Sequence, residues 1–343
     1  MPLSAVGLQT HIWNNNIKST LLLLGYPILL LVLLWAGCAA YALFSTPVSS
    51  NAPSAIELGF AGVAKSWHYV LIFTAIWFAI AWKFHQSFIN KSTGARPLTR
   101  RENPYIYNLL ENLCISRGLI MPKLYIIDTP ALNAYASGLS EKSYAITLTA
   151  GIILTLDEAE LESVLAHELT HIINRDVRLL VIGVIFAGMI TFFAEMARNS
   201  LLRTGHYGFS RRGRSNTLLI MIIASVILAI GAFLALVIRM AISRKREYLA
   251  DAGAVELTKN PDAMVSALRK ISGRAEMEDA PPEIQQMFIE NPPSAYGIFD
   301  THPSIEARIW ALKNYAGAQE ITLATPRKNP WQRAPRKGPW DRR

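Results

Sequence analysis

A run of 24 residues, Leu21 to Phe44, contains no charged side chain. As a helix rising ~1.5 Å per residue it is long enough to cross ~30 Å of hydrocarbon. Ser215 to Ile238 is a second uncharged run of 24 residues. Two shorter runs accompany them. One is the 17 residues between Lys65 and Lys83, with Trp67 and Trp82 at its two ends, where tryptophans suit a membrane–water interface. The other is Leu179 to Ala194, 16 residues. A buried core helix could account for that last run, but not for two uncharged runs of 24 residues. The composition agrees: only 17% of residues are charged and 51% are hydrophobic, whereas soluble domains carry roughly 25% charge. Disorder and a purely soluble enzyme are both disfavoured.

The net charge of +9 is concentrated in the last 22 residues, where seven Lys/Arg face only Asp341. This tail is a tandem repeat, Pro326-Arg-Lys-Asn-Pro-Trp-Gln-Arg333 followed by Pro335-Arg-Lys-Gly-Pro-Trp-Asp-Arg342. Its proline density predicts a disordered segment. Basic residues interleaved with Trp331 and Trp340 suit an anionic lipid surface; a merely solubilising tail is the alternative. No basic helix or aromatic-studded sheet accompanies the charge, so no nucleic-acid partner is expected. The two cysteines, Cys38 and Cys114, cannot build a disulfide framework or a Cys-type zinc site. The segment ending at Cys38 is a near miss to a lipoprotein cleavage site, with Trp35 where a small aliphatic residue belongs.

The chemistry lies in Asp157 to Asn174, DEAELESVLAHELTHIIN. Leu161, Val164, Leu165, Leu169, Ile172 and Ile173 recur at helical spacing, and Asp157 with Glu160 predicts a capped start. His167 and His171 therefore share one helix face, one turn apart. Two imidazoles so placed can bind one zinc ion at ~2.0–2.1 Å. Glu168 sits about 100° round the helix, beside the metal, as the expected general base. An amphipathic helix with two incidental histidines is the competing reading. For a third ligand the spacing of Glu247 and Asp251 puts two carboxylates on one helical face. Glu247 could ligate, and Asp251 could accept the second ring N–H of a ligating histidine. A surface helix with two solvated acids fits the spacing equally.

HELTH at 167–171 followed by EYLAD at 247–251 resembles the membrane zinc metallopeptidases of the HtpX and CAAX-prenyl-protease type. Glu102-Asn-Pro104, Pro122 to Ile127, Asn133 to Gly138, and Thr301-His-Pro-Ser304 with Glu306 and Arg308 extend the resemblance over roughly residues 100–315. It is closer to the bacterial HtpX group. It implies one Zn2+ per chain on His167, His171 and Glu247, with Asp251 supporting a ligand. It also implies His302 as an oxyanion stabiliser, although a His-Pro turn before a helix starting at Ser304 is an equal alternative. Asn133, Ala134, Tyr135 and Ala136 would lie on an edge strand that pairs with substrate backbone, or on an ordinary hairpin strand.

The implied fold is a polytopic α-helical membrane protein with a mainly α (α+β) zincin-like catalytic domain. Residues 1–82 would hold two transmembrane helices, 83–178 the first part of the catalytic domain, 179–238 a transmembrane hairpin, 239–321 the second part, and 322–343 the tail. The hairpin rests on chain continuity, which allows two crossings or none. Two are favoured because 24 uncharged residues are hard to bury any other way, and both runs bending back within the near leaflet is the alternative. His171 and Glu247 can meet only if the chain between them crosses the bilayer an even number of times. Lys/Arg near the span ends number twelve on the catalytic side against six opposite, which places the catalytic domain in the cytoplasm of a bacterial inner-membrane protein. Arg198, Arg203, Arg211, Arg212 and Arg214 are the exception to that rule. The resemblance implies polypeptide substrates, membrane or misfolded proteins among them, hydrolysed in protein quality control under stress. CAAX-type processing, or a zinc-containing scaffold or chaperone without protease activity, are the alternatives.

Overall fold

The computed structural model describes residues 8–45, 53–186, 188–189, 199, 230, 245–277, 280–285, 287–290 and 302–319. The third apolar run is described as far as Met189. The rest of it, the fourth run apart from Ile230, the arginine-rich loop and the repeat tail lie outside the described residues. The chain divides into two compact units, Met1–Ser87 with Arg178–Ile242, and Phe88–Val177 with Ser243–Arg343.

The first unit is built on α1 (Leu8–Ser45) and most of α2 (Ala55–Thr93). Both are long and apolar enough to cross a membrane. Their surfaces are greasy: Leu24, Ile28, Ile72 and Ile76 are all exposed. A band of that kind is stable against lipid and unfavourable against water. Pro27 lies inside α1, a position better tolerated in membrane helices than in soluble ones. A Cβ on Gly59 would stand 2.8 Å from Trp35 Nε1, so glycine lets α2 pass close to the Trp35 ring, which also meets Phe60 at 5.9 Å. Tyr26 stacks on Phe186 at 4.2 Å.

The second unit carries a four-stranded sheet ordered β1-β2-β4-β3. Strand β1 (Arg96–Pro97) is antiparallel to β2 (Lys123–Ile127), β2 is parallel to β4 (Ala145–Thr149), and β3 (Ala134–Ser137) is antiparallel to β4. The central strand β4 is buried at every residue, as a strand covered on both faces must be. Proline at position 97 is confined to the edge, where a missing donor costs least. Helix α3 (Pro104–Arg117) starts on the Asn103 cap, with its backbone turned left-handed at Gly118 to end it. A short α4 (Ala150–Thr155) follows β4 directly.

Helix α5 (Glu158–Ile173) is the centre of this unit. Its capping box is complete: Asp157 accepts from Glu160 N at 3.0 Å and Glu160 accepts from Asp157 N at 2.8 Å. Glu160 also takes Lys270 Nζ and Ser266 Oγ, both at 2.6 Å, tying the start of α5 to α7 (Pro261–Ile271). The most extensive packing of α5 is on α6 (Lys245–Thr258). A Cβ on Gly253 would lie 2.4 Å from Thr170 Cγ2, so the two helices can close to this distance only over glycine. The described part ends with α8 (Pro282–Gln285) and α9 (Ile305–Tyr315), the latter capped by Ser304.

Candidate metal centre

The close contact of α5 with α6 brings three donors together. His167 Nε2 and His171 Nε2 are 3.2 Å apart. Glu247 places Oε2 3.6 Å from the first and Oε1 3.7 Å from the second. Donors ~2.0–2.1 Å from one tetrahedral ion stand roughly 3.3–3.4 Å from each other, so the cluster has the spacing of a zinc site. The far sides of the rings are held. Asp251 Oδ1 is 3.0 Å from His167 Nδ1, and Asp176 Oδ2 is 3.1 Å from His171 Nδ1. A carboxylate only accepts, so each Nδ1 carries a proton and each Nε2 turns toward the cluster.

The charges are compatible with a cation. Glu168, Asp176, Glu247 and Asp251 are all buried, with the guanidiniums of Arg246 and Arg308 and the imidazoles of His167 and His171 among them. Buried carboxylates are costly unless offset, which here either a proton on His167 or a dication in its place can do. Burial disfavours a charged His167, yet Asp251 and Glu247 outweigh it and raise its pKa to about 9. A proton and a metal ion would compete for that same lone pair. Burial likewise works against ionised Glu247, but His302, His171 and His167 hold it well below the usual carboxylate range. Asp251 is lowered despite burial by Arg308 and His167.

Glu168 is 1% exposed, and neither of its oxygens has a hydrogen-bond partner. A buried carboxylate without partners is expensive unless something outside the protein atoms completes it. Burial raises its pKa, against a lowering by His167 and His171. His302 stands with Nδ1 3.4 Å from Glu247 Oε2, without hydrogen-bond geometry, and both its ring nitrogens are unpartnered.

Two residues near the metal cluster were not singled out by spacing. Arg308 is 1% exposed and clamps Asp251, with Nε 2.9 Å from Oδ2 and Nη2 2.6 Å from Oδ1. Its Nη1 donates to the Ile289 carbonyl at 2.9 Å. In the sequence it is only part of the closing motif. Asp176 follows the HELTH helix by a turn, with nothing in its spacing to mark it.

Strand β3 is at an edge of the sheet, but that edge is engaged at its start. Ile289 N donates to Ala134 O at 3.0 Å and to Asn133 Oδ1 at 3.1 Å. Asn133 Nδ2 donates to Ala275 O and Glu290 O. Tyr135 is buried, its hydroxyl 3.1 Å from Thr93 Oγ1 and its ring 5.5 Å from Phe288. Asn133 and Tyr135 thus hold the strand in place, and Ala136 is the remaining buried member of the stretch.

Residues 100–316 match the model of Peptidase family M48. A protein named Protease HtpX homolog from Bacteroides fragilis strain YCH46 is 44% identical over 323 residues, covering 90% of this chain and 99% of that protein. Another Protease HtpX homolog, from Dictyoglomus thermophilum, is 37% identical over 268 residues, covering 76% of this chain and 84% of that one. The crystal structure of S. mikatae Ste24p aligns with a TM-score of 0.44 at 19% identity, over 88% of this chain and 66% of that one, a likeness too slight to build on. By its matched residues and by its full-length relatives, the chain belongs to peptidase family M48, and it is a membrane metalloprotease acting on polypeptides.

Proposed function

We propose that this chain is a zinc-dependent endopeptidase with one Zn2+ held by His167, His171 and Glu247. The observation that carries the metal is the triangle of donors 3.2, 3.6 and 3.7 Å apart, beside a buried glutamate with no partner. Zinc held there by His167, His171 and Glu247 would supply Lewis acidity and would make a nearby water acidic near neutral pH. The rest falls to the protein's own groups. Glu168 takes a proton from the attacking water and later gives it to the leaving amine. Its elevated pKa, from burial, suits a group that must both accept and release a proton. His302 donates to the oxyanion that develops on the scissile carbonyl. Asp251 and Arg308 keep His167 turned toward the metal. The β3 stretch from Asn133 to Ala136, engaged at its start by Ile289, lines up substrate backbone without reading its sequence.

The same reading assigns the catalytic domain to residues 83–178 and 239–321, with 179–238 as a membrane hairpin between them. It places the catalytic domain on the cytoplasmic side of a bacterial inner membrane. Membrane and misfolded proteins are its substrates, and the basic tail rests on anionic lipid. The exposed apolar bands of α1 and α2 support a bilayer location, and the Lys/Arg asymmetry supports the orientation. Stripping the purified protein of metal with a chelator should abolish cleavage of an unfolded polypeptide, and zinc should restore it. Cleavage that persists at full rate in the stripped protein would overturn the reading.

A further inference from the structure

Asp176 is fully buried although no regular helix contact requires an acid there. It begins a new helical stretch, 176–186, and an acid at a helix start gains only modestly from the dipole at the surface. That gain does not explain a carboxylate removed from water altogether. The backbone shows what brings it inward. Helix α5 stops at Ile173, and Arg175 adopts φ 58°, a left-handed conformation that a side chain of this type rarely takes. The reversal returns the chain toward α5. It sets Asp176 Oδ2 3.1 Å from His171 Nδ1. The other oxygen, Oδ1, faces Arg246 Nη1 at 4.0 Å. Arg246 is itself 2% exposed and immediately precedes Glu247.

Asp251 and Asp176 therefore stand in equivalent relations to the two histidines, one from α6 and one from the turn that ends α5. We propose that Asp176 is a positioning residue for the metal centre: it takes the Nδ1–H of His171 so that Nε2 faces the metal. This rests on the zinc-peptidase reading. It adds a support for the second histidine that the HELTH and EYLAD motifs do not contain. Strain at Arg175 is the cost of that support, and strained non-glycine backbone persists where the surroundings demand it.

The test uses the full-length protein in detergent, with zinc affinity measured by competition against a chelator. Cobalt substitution gives the visible spectrum of the metal's surroundings, and thermal melting reports folding. Asp176→Ala should weaken zinc by about 10–100-fold and shift the cobalt bands. Asp176→Asn keeps the volume and an acceptor for Nδ1–H but loses the charge, so its affinity should fall between the two. If Asp176→Ala does not fold, Asp176→Asn carries the comparison. Variants that melt lower yet bind zinc within about twofold of wild type, with an unchanged cobalt spectrum, overturn the proposal, because a purely structural acid would behave so. Wild type that binds no zinc would sink the zinc reading and this proposal together. Wild type that binds zinc beside unaffected Asp176 variants sinks the proposal alone.

Discussion

Each imidazole of the cluster has one nitrogen on a carboxylate and one on the space shared with Glu247. That division of labour separates the effects of single substitutions. Glu247→Ala removes a donor and leaves two buried histidines facing each other. It should lower bound zinc from about one per chain to near none, read by elemental analysis after dialysis. His302 touches Glu247 only at 3.4 Å and without hydrogen-bond geometry. His302→Ala should therefore keep its zinc and lose about 10²–10³ in kcat with KM little changed, the signature of a lost oxyanion donor. Unchanged kcat would return His302 to a structural role in the turn before Ser304.

At the scale of elements, the site depends on how closely α6 lies against α5. Gly253→Ala drives a methyl group into Thr170, whose hydroxyl is fixed on the Ala166 carbonyl at 2.8 Å. The helices must part, at a cost of about 1–3 kcal/mol. The melting temperature should fall and zinc affinity with it, since Glu247 is on the displaced helix. A variant that melts and binds as wild type would show the contact to be soft. The elements themselves were unequally legible. The α5 boundaries follow from apolar periodicity and the Asp157–Glu160 box, both local signals, and the start of α9 from Ser304. The two-residue β1 is too short for any alternation to reveal. The covering of Ala134 by Ile289 is a pairing across more than 150 residues, which no local pattern encodes. Asp176 was invisible for another reason. Its place depends on the left-handed backbone at Arg175, and arginine gives no hint of that conformation.

For the whole molecule, the sequence pattern of long uncharged runs and the exposed apolar surfaces of α1 and α2 agree. Motifs were readable because metal chemistry fixes residue type and spacing together. The path of the chain between Asn174 and Lys245 was not readable in the same way, since an even number of crossings includes none. Two crossings would put position 206 outside. In spheroplasts, with Cys38 and Cys114 replaced, a cysteine at His206 should react with an impermeant thiol reagent before lysis, like a control cysteine at Asn51. Reaction at position 206 only after lysis, with Asn51 labelled throughout, would mean that the segment bends back on the catalytic side.

The central claim is that binding the metal and moving the proton are done by different neighbours on one helix, His167 and Glu168. The direct measurement is bound zinc and cleavage rate on the same preparations of wild type and Glu168→Ala, with an unfolded polypeptide as substrate. Wild type should hold about one zinc and cleave. Glu168→Ala should hold the same zinc and lose about 10²–10⁴ of the rate. Glu168→Ala that keeps its zinc and still cleaves at near the wild-type rate would contradict the account.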